Sequence, residues 1–279
     1  MILMIQIAMM MMQKKNKTSI DLAPIKPSWA IQNAYRIKLM KLTKEMTKDL
    51  SAYTLKLYDN ESEIIENVLT DSNIVSNMLF KFTDRWRKWN KLFIKFANAY
   101  TIDYINDIDK NVQSQLTKSL EPMRDFLHIK FDERSKKLLT IKQAAIGENV
   151  DLIKNVPVKL KEQITYNVTE AVSRGRDLKY LKTELTKLNI FTENRVKTIT
   201  RDQVNKATSV ISHARQVELG ITKQKWAHTP IGKTYRKSHV AANGKIYKID
   251  KGCEIDGEFI FPAQLYNCHC LSRPLLEFD

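Results

Sequence analysis

The amino-acid sequence predicts a mainly α protein, with a helical N-terminal region followed by an α+β C-terminal domain that carries a small β-hairpin region. Three observations support this. Glycine is absent before Gly147, whereas five of the seven glycines, Gly220, Gly232, Gly244, Gly252 and Gly257, fall in the last sixty residues, where tight turns would need them. Phe82, Trp86, Trp89, Phe93, Phe96 and Tyr100 recur at alternating spacings of four and three, which draws one aromatic stripe along a helix from about Thr83 to Tyr100. After Trp226, short apolar runs alternate with turn signals such as Asn243-Gly244.

The chain opens on an apolar run of about twelve residues, MILMIQIAMMMM, too short for a membrane span of roughly twenty and without the basic leader of a signal peptide. Met4 and Met9 to Met12 offer later starts, so residues 1–25 are expected to be a flexible or misassigned N-terminus, neither exported nor anchored. Residues 26–150 read as a helical region, with helices near 30–58, 61–80, 83–100 and 110–140 and with Pro24, Pro27 and Pro122 as breaks or starts. The aromatic stripe reads as packing: burying six aromatics stabilises a fold by several kcal/mol, which outweighs stacking on nucleic-acid bases as a reason for such regularity.

Ile146-Gly147-Glu148-Asn149-Val150 holds the first glycine after a long helical region, which places a domain join near 145–157 and a second domain over 151–279. In that domain helices are expected near 158–173, after Pro157, and near 177–188. Another starts at Thr192, presents Val196, Ile199, Ala207, Val210, Ala214 and Val217 on one face, and stops at Gly220. Asn243-Gly244 then predicts a hairpin turn between Ser238–Ala242 and Lys245–Asp250.

The balance of 46 Lys and Arg against 31 Asp and Glu gives a formal net charge of +15, which favours a polyanion such as double-stranded DNA, bound non-specifically through phosphates. The surplus is spread evenly along the chain, so no basic arm marks a DNA-contacting residue, and solvated helix faces explain the lysines equally well. The three cysteines, Cys253, Cys268 and Cys270, sit in the last thirty residues, which is not the framework of a secreted disulfide scaffold and points to synthesis in a reducing cytoplasm.

An ordered set of landmarks runs through the second domain. Thr200-Arg201-Asp202-Gln203-Val204-Asn205-Lys206 leads to Glu218-Leu219-Gly220-Ile221, Trp226, Arg236-Lys237-Ser238-His239, Asn243-Gly244-Lys245, Pro262 and Asn267-Cys268-His269-Cys270. In this order, over about residues 155–275, they resemble the phage Mu F-type head morphogenesis family, which includes minor head proteins encoded beside the portal gene of tailed phages. The residues that carry the resemblance are Arg201, Gly220, Trp226, Arg236, His239, Gly244, Pro262, Asn267, Cys268 and Cys270. The chain departs from the family pattern in three places: it lacks the usual acid shortly before Arg-x-x-His, carries His269 where an Arg usually stands, and has Ala263 after Pro262 where a glycine is frequent. The resemblance implies a minor structural protein of the phage head, made in the host cytoplasm and placed in the virion head interior. Portal, scaffold or coat protein would be its partners, head assembly or DNA packaging and ejection its role, and no membrane contact or enzymatic activity of its own is expected.

Two chemical readings compete with that one. His239, Cys253, Cys268 and Cys270 offer four ligands of the kinds zinc prefers, and a metal-dependent nuclease or hydrolase could be built on such a centre. On an extended strand Cys268 and Cys270 would lie too far apart for one ion without a turn at His269, so the other reading is that they are small buried apolar side chains and that no cofactor is bound. His239 is not followed by the Glu of zinc deaminases, and neither HExxH nor a nucleophile elbow occurs. Ala227 to Thr234 approximates a phosphate-binding loop, but the turn at Asn243-Gly244 follows too soon for the helix such a loop must open. Arg236 and His239 would share one side of a helical turn and either hold an anion or fix the loop.

Overall fold

A computed structural model of the chain describes residues 19–65, 71–121, 131–230 and 235–277. It is mainly helical, and the strands belong almost wholly to the C-terminal part, as the glycine distribution predicts. The helices are α1 (Trp29–Ile65), α2 (Asp71–Leu120), α3 (Lys136–Ser173), α4 (Leu178–Glu218) and the short α5 (Lys237–Ala241). The strands are β1 (Ser19–Asp21), β2 (Lys223–Ala227), β3 (Ile246–Lys248), β4 (Cys253–Ile255), β5 (Glu258–Ile260) and β6 (Leu271–Glu277). No described helix is long and apolar enough to cross a membrane.

The helices are longer than the sequence suggests. Gly147 and Pro157 both lie inside α3, so the join expected at 145–157 contains no loop, and Thr192 lies inside α4. Pro157 removes one backbone donor, yet its carbonyl accepts a hydrogen bond from Trp86 Nε1 at 2.8 Å, and packing outweighs the local penalty. The helix expected over 110–140 divides between the end of α2 and the start of α3, while Pro122 lies outside the described residues.

The chain forms two compact units, neither continuous in sequence. One comprises Asn33–Ile102 and Gly147–Thr200. Its core is built from four helical segments that bury residues at three-four spacing: Leu39, Met46 and Leu50; Phe82, Phe93 and Ala97; Ile153, Val156, Leu160 and Ile164; Leu181, Leu185 and Val196. The aromatic stripe packs here as read: Phe82 and Phe93 are buried, Phe96 stacks on Tyr100, and Trp89 Nε1 donates to Asp49 at 2.6 Å. Buried Thr43, Thr47 and Thr54 satisfy their hydroxyls on the carbonyls four residues earlier.

The other unit joins Asp103–Ile146 and Arg201–Asp279 with the segment ending at Gln32. Its antiparallel sheet has the order β1-β6-β2-β3, and β4-β5 form a separate hairpin. Here the expectation of a flexible N-terminus over 1–25 fails for residues 19–25. Ser19 to Asp21 pair with Leu275 to Glu277, and Leu22 and Ile25 are buried; residues 1–18, with the apolar run, lie outside the described residues. Pro274 is tolerated in the interior strand β6 because N–H and C=O of a strand residue point the same way. Its carbonyl accepts from Leu22 N–H, so its missing donor faces the end of β1 and not β2.

The hairpin expected around Asn243-Gly244 is also different. Ser238 to Ala241 form α5 rather than a strand, Gly244 turns the chain at φ +84°, and β3 pairs with β2. The two-residue hairpin lies at Asp256-Gly257 between β4 and β5, where both residues have positive φ, the requirement of a type I′ turn.

A candidate metal centre at the end of the sheet

The C-terminal site is held by the last part of α4. Arg201, Asn205, Ser209 and His213 lie four residues apart on one stripe of that helix. Arg201 Nη2 donates to Asn267 Oδ1 at 2.6 Å, Asn205 lies 3.2 Å from His269 Nδ1, Ser209 Oγ donates to the Pro262 carbonyl at 2.6 Å, and His213 packs edge-on against Phe261. Asp202, beside the stripe, accepts the Asn267 backbone N–H at 3.2 Å. One helix face thus fixes the whole segment from Phe261 to His269.

α4 ends in a Schellman motif: Gly220 N–H bonds the Val217 carbonyl and Ile221 N–H that of Gln216, with Gly220 at φ +76° and Ile221 buried. The chain then enters β2, where Gln224 and Trp226 face inward. Gln224 joins a buried polar chain: Tyr247 Oη donates to Gln224 Oε1, Gln224 Nε2 to Gln216 Oε1, and Gln216 Nε2 to Ser212 Oγ. Trp226 packs edge-on against the His239 ring at 5.2 Å between centroids.

β2 and β6 end with Ala227 opposite Leu271, so continuing the antiparallel register brings His228 beside Cys270. His228 Nδ1 lies 3.6 Å from Cys270 Sγ. α5 supplies His239 from another side, 3% exposed, with Nδ1 3.5 Å from Cys268 Sγ and 3.7 Å from Cys270 Sγ. The potential ligand atoms of His239, Cys268 and Cys270 all lie within 4.8 Å of one another. A cavity of about 310 Å³ opens beside them, lined also by Tyr235, Arg236 and Tyr266.

The turn lies before the cysteine pair, at Tyr266 and Asn267, and not at His269 where the sequence reading placed it. Asn267 adopts φ +57°, a left-handed conformation that asparagine tolerates, Cys268 N–H closes on the Leu265 carbonyl, and His269 points away to Asn205. Pro262 and Ala263 occupy the middle of a turn closed by Gln264 N–H on the Phe261 carbonyl, with Ala263 at φ +62°. This is the type II arrangement, which prefers glycine at the position Ala263 holds.

The Cys270 thiol donates to the Cys268 sulfur, which also accepts the backbone N–H groups of Cys270 and Ala263, and together these hold Cys268 well below the ordinary thiol range. The same contact with Cys268, reinforced by burial, pushes Cys270 up. Burial, with the Arg201 charge nearby, pushes His269 down.

Of the four ligands read from the sequence, three come together. Cys253 is fully buried in the apolar cluster that also holds Trp226, Tyr247, Cys268 and Cys270, but it stands outside the converging ligand atoms, and burial pushes its thiol up. His228 was not among the expected residues; its proximity depends on a β2–β6 register that no local motif reveals. Arg236 and His239 both line the cavity; Arg236 is exposed and donates to the Tyr266 carbonyl at 3.2 Å, tying α5 to the cysteine turn, while His239 is buried. Gly232, Lys233 and Thr234 of the phosphate-loop-like stretch lie outside the described residues.

A second polar cluster in this unit also escaped sequence reading. Arg215 of α4, 0% exposed, makes a bidentate pair with Asp109, itself 2% exposed, through Nε and Nη2 at 2.9 Å each. It also reaches Glu218, Glu133 and the Asp132 carbonyl, and its guanidinium lies over the Phe131 ring.

Residues 162–273 match the family described as Phage Mu protein F like protein. The matched span contains every residue on which the resemblance rests, from Arg201 to Cys270. Among curated proteins the chain is 22% identical over 254 residues to an uncharacterized protein of Haemophilus influenzae, covering 91% of this chain and 55% of that one. It is 22% identical over 196 residues to the uncharacterized protein YqbB of Bacillus subtilis strain 168, covering 63% and 62% respectively. The chain therefore spans little more than half the length of these relatives. No solved structure matches it.

Proposed function

We propose that the protein is a minor structural component of a tailed-phage head, bound near the portal and acting in head assembly, with DNA packaging or ejection as its associated step. The observation that carries this reading is the family match over residues 162–273. The way the landmarks are used supports a structural role: Arg201, Pro262 and Asn267 hold one segment against another, and Arg236 braces the cysteine turn. Portal, scaffold or coat protein are its partners, and the surplus of cations provides non-specific contact with packaged DNA.

A hydrolase is the rival class, and two details weigh against it. No Asp or Glu lines the cavity beside His239 among the described residues, so a carboxylate base is lacking there. His239 Nε2, buried, finds no partner among the described residues, so the third group that would orient a Cys-His nucleophile pair is missing. The test is fractionation of phage heads and procapsids from cells carrying the phage, followed by mass spectrometry. The protein is expected to co-sediment with particles; its absence from washed particles overturns the proposal.

A further inference from the structure

We propose that Cys268, Cys270, His239 and His228 bind one zinc ion as a closed tetrahedral structural site that ties the end of β2, α5 and the turn before β6 together. Zinc holds sulfur at about 2.3 Å and imidazole nitrogen at about 2.0–2.1 Å, so the sulfur-to-nitrogen edge of a tetrahedral site is about 3.6 Å. The three such edges here, His239 to Cys268, His239 to Cys270 and His228 to Cys270, are 3.5, 3.7 and 3.6 Å. His239, Cys268 and Cys270 form the tight part of the set; His228, half-buried on the cavity wall beside Cys270, lies outside that tight group and completes the site when its ring turns toward the other three ligands.

The surroundings of the sulfurs suit two thiolates. Cys268 accepts the backbone N–H groups of Cys270 and Ala263, and Cys270 accepts that of Thr229. Donors on both sulfurs disperse the charge that zinc-bound thiolates retain, as outer-shell partners do at metal sites. As the ion binds, the thiol protons leave to solvent, and two thiolates with Zn²⁺ make a neutral unit, so burying the site carries no uncompensated charge. Cys253 shares the apolar cluster beneath the site but is not among the residues whose ligand atoms converge, and it has no part in the set. Four protein ligands leave no open position for water or substrate, which makes the site structural. The inference does not depend on the head-protein reading.

The experiment uses the full chain purified under reducing conditions without chelator. Elemental analysis should give about one zinc per chain, and cobalt substitution should give a tetrahedral visible spectrum with sulfur-to-cobalt charge-transfer bands. Cys253→Ala should leave both unchanged. Cys268→Ser and Cys270→Ser should each remove about half of the charge-transfer intensity and weaken zinc binding by more than the about 100-fold that loss of an outer-shell partner can cost. His228→Ala should convert the cobalt spectrum to a weaker, more open-site form and lower zinc affinity by about tenfold or more. Substoichiometric zinc together with no thiolate-to-cobalt band in the wild-type chain overturns the site, and that reading stands even where a variant fails to fold. A Cys253→Ala protein that loses the band, or a His228→Ala protein indistinguishable from wild type, overturns the proposed ligand set.

Discussion

Removing one half of the buried Arg215–Asp109 pair should be among the most damaging single substitutions in the C-terminal unit. Both side chains are almost wholly excluded from water, and the two parallel bonds of 2.9 Å are the geometry in which a guanidinium best compensates a carboxylate. Lys142 adds a third contact to Asp109 at 3.2 Å, and Glu218 a second carboxylate to Arg215 at 3.0 Å. Taking away one member of such a pair leaves an uncompensated buried charge, at a cost of about 3–5 kcal/mol. Asp109→Asn should fall near the lower end, because Glu218 and Glu133 still face the guanidinium. Arg215→Met should fall higher, because the Asp132 carbonyl also loses a donor. The double variant Asp109→Leu/Arg215→Met, which removes both charges, should be less destabilised than the sum of the singles. Burial pushes the Asp109 carboxyl up, but the bonds from Arg215 and Lys142 more than reverse this and hold it below the ordinary carboxylate range. The stabilisation is therefore complete above the unfolded carboxylate value of about 3.9 and is lost as pH falls through the lower folded value. Urea unfolding of the full chain followed by circular dichroism, repeated from neutral pH to about pH 3, measures both effects. Single variants that cost less than about 1 kcal/mol, or an acid limb unchanged in Asp109→Asn, would refute the reasoning.

Three further outcomes follow from backbone conformation and the buried polar chain. Ala263→Gly should stabilise the protein by about 0.5–1 kcal/mol, seen as a rise of a few degrees in Tm, because Ala263 holds a left-handed conformation that costs an alanine about 1–2 kcal/mol; an unchanged or lower Tm contradicts this. Asn267→Ala should lose more stability than Asn267→Gly, since both lose the Arg201 hydrogen bond but only alanine also strains the φ of +57°; equal thermal shifts would show that the conformation carries no cost. Gln216→Leu should cost about 1–3 kcal/mol in chemical denaturation by leaving the Gln224 amide unpaired inside the unit, and a change below about 0.5 kcal/mol would count against the network.

The helical class and the turn-rich end were legible because both rest on local signals, three-four periodicity and glycine placement. Helix ends were harder to read. Pro157 and Gly147 are breakers by propensity, yet α3 continues through both: around Pro157 it buries Ile153, Val156 and Leu160 and Trp86 bonds the proline carbonyl, whereas Gly147 lies at an exposed position of the helix. The true hairpin turn, Asp256-Gly257, carried as strong a signal as Asn243-Gly244. The difference lay in the flanks, because Lys237 to Ala241 can form a helical turn, whereas Cys253–Ile255 alternates buried and exposed as a strand does and pairs with Glu258–Ile260. Arg215 could have been found: Val204, Ile211 and Arg215 fall on one apolar stripe of α4, and a charged residue inside a buried stripe requires a partner. Its partner Asp109 could not, since 106 residues separate them and only the fold brings them together. His228 was hidden for the same reason.

The geometry explains why scattered landmarks act as one pattern. Arg201, Asn205, Ser209 and His213 share a helix stripe, and each meets a different residue of the segment from Phe261 to His269, so a change in either piece must be met in the other. Asn267 is needed twice, as acceptor for Arg201 and as a residue able to adopt positive φ, and that conformation turns both cysteine side chains toward His239 while His269 turns back to the helix. The ring at the position between the cysteines is therefore held by α4 and is not among the converging ligand atoms. A histidine can stand there because Asn205 bonds its ring, so the departure at His269 leaves the arrangement of Cys268, Cys270 and His239 intact. A substitution at His269 should accordingly loosen the turn without removing a metal ligand, whereas one at His228, outside every landmark, should weaken the metal centre itself.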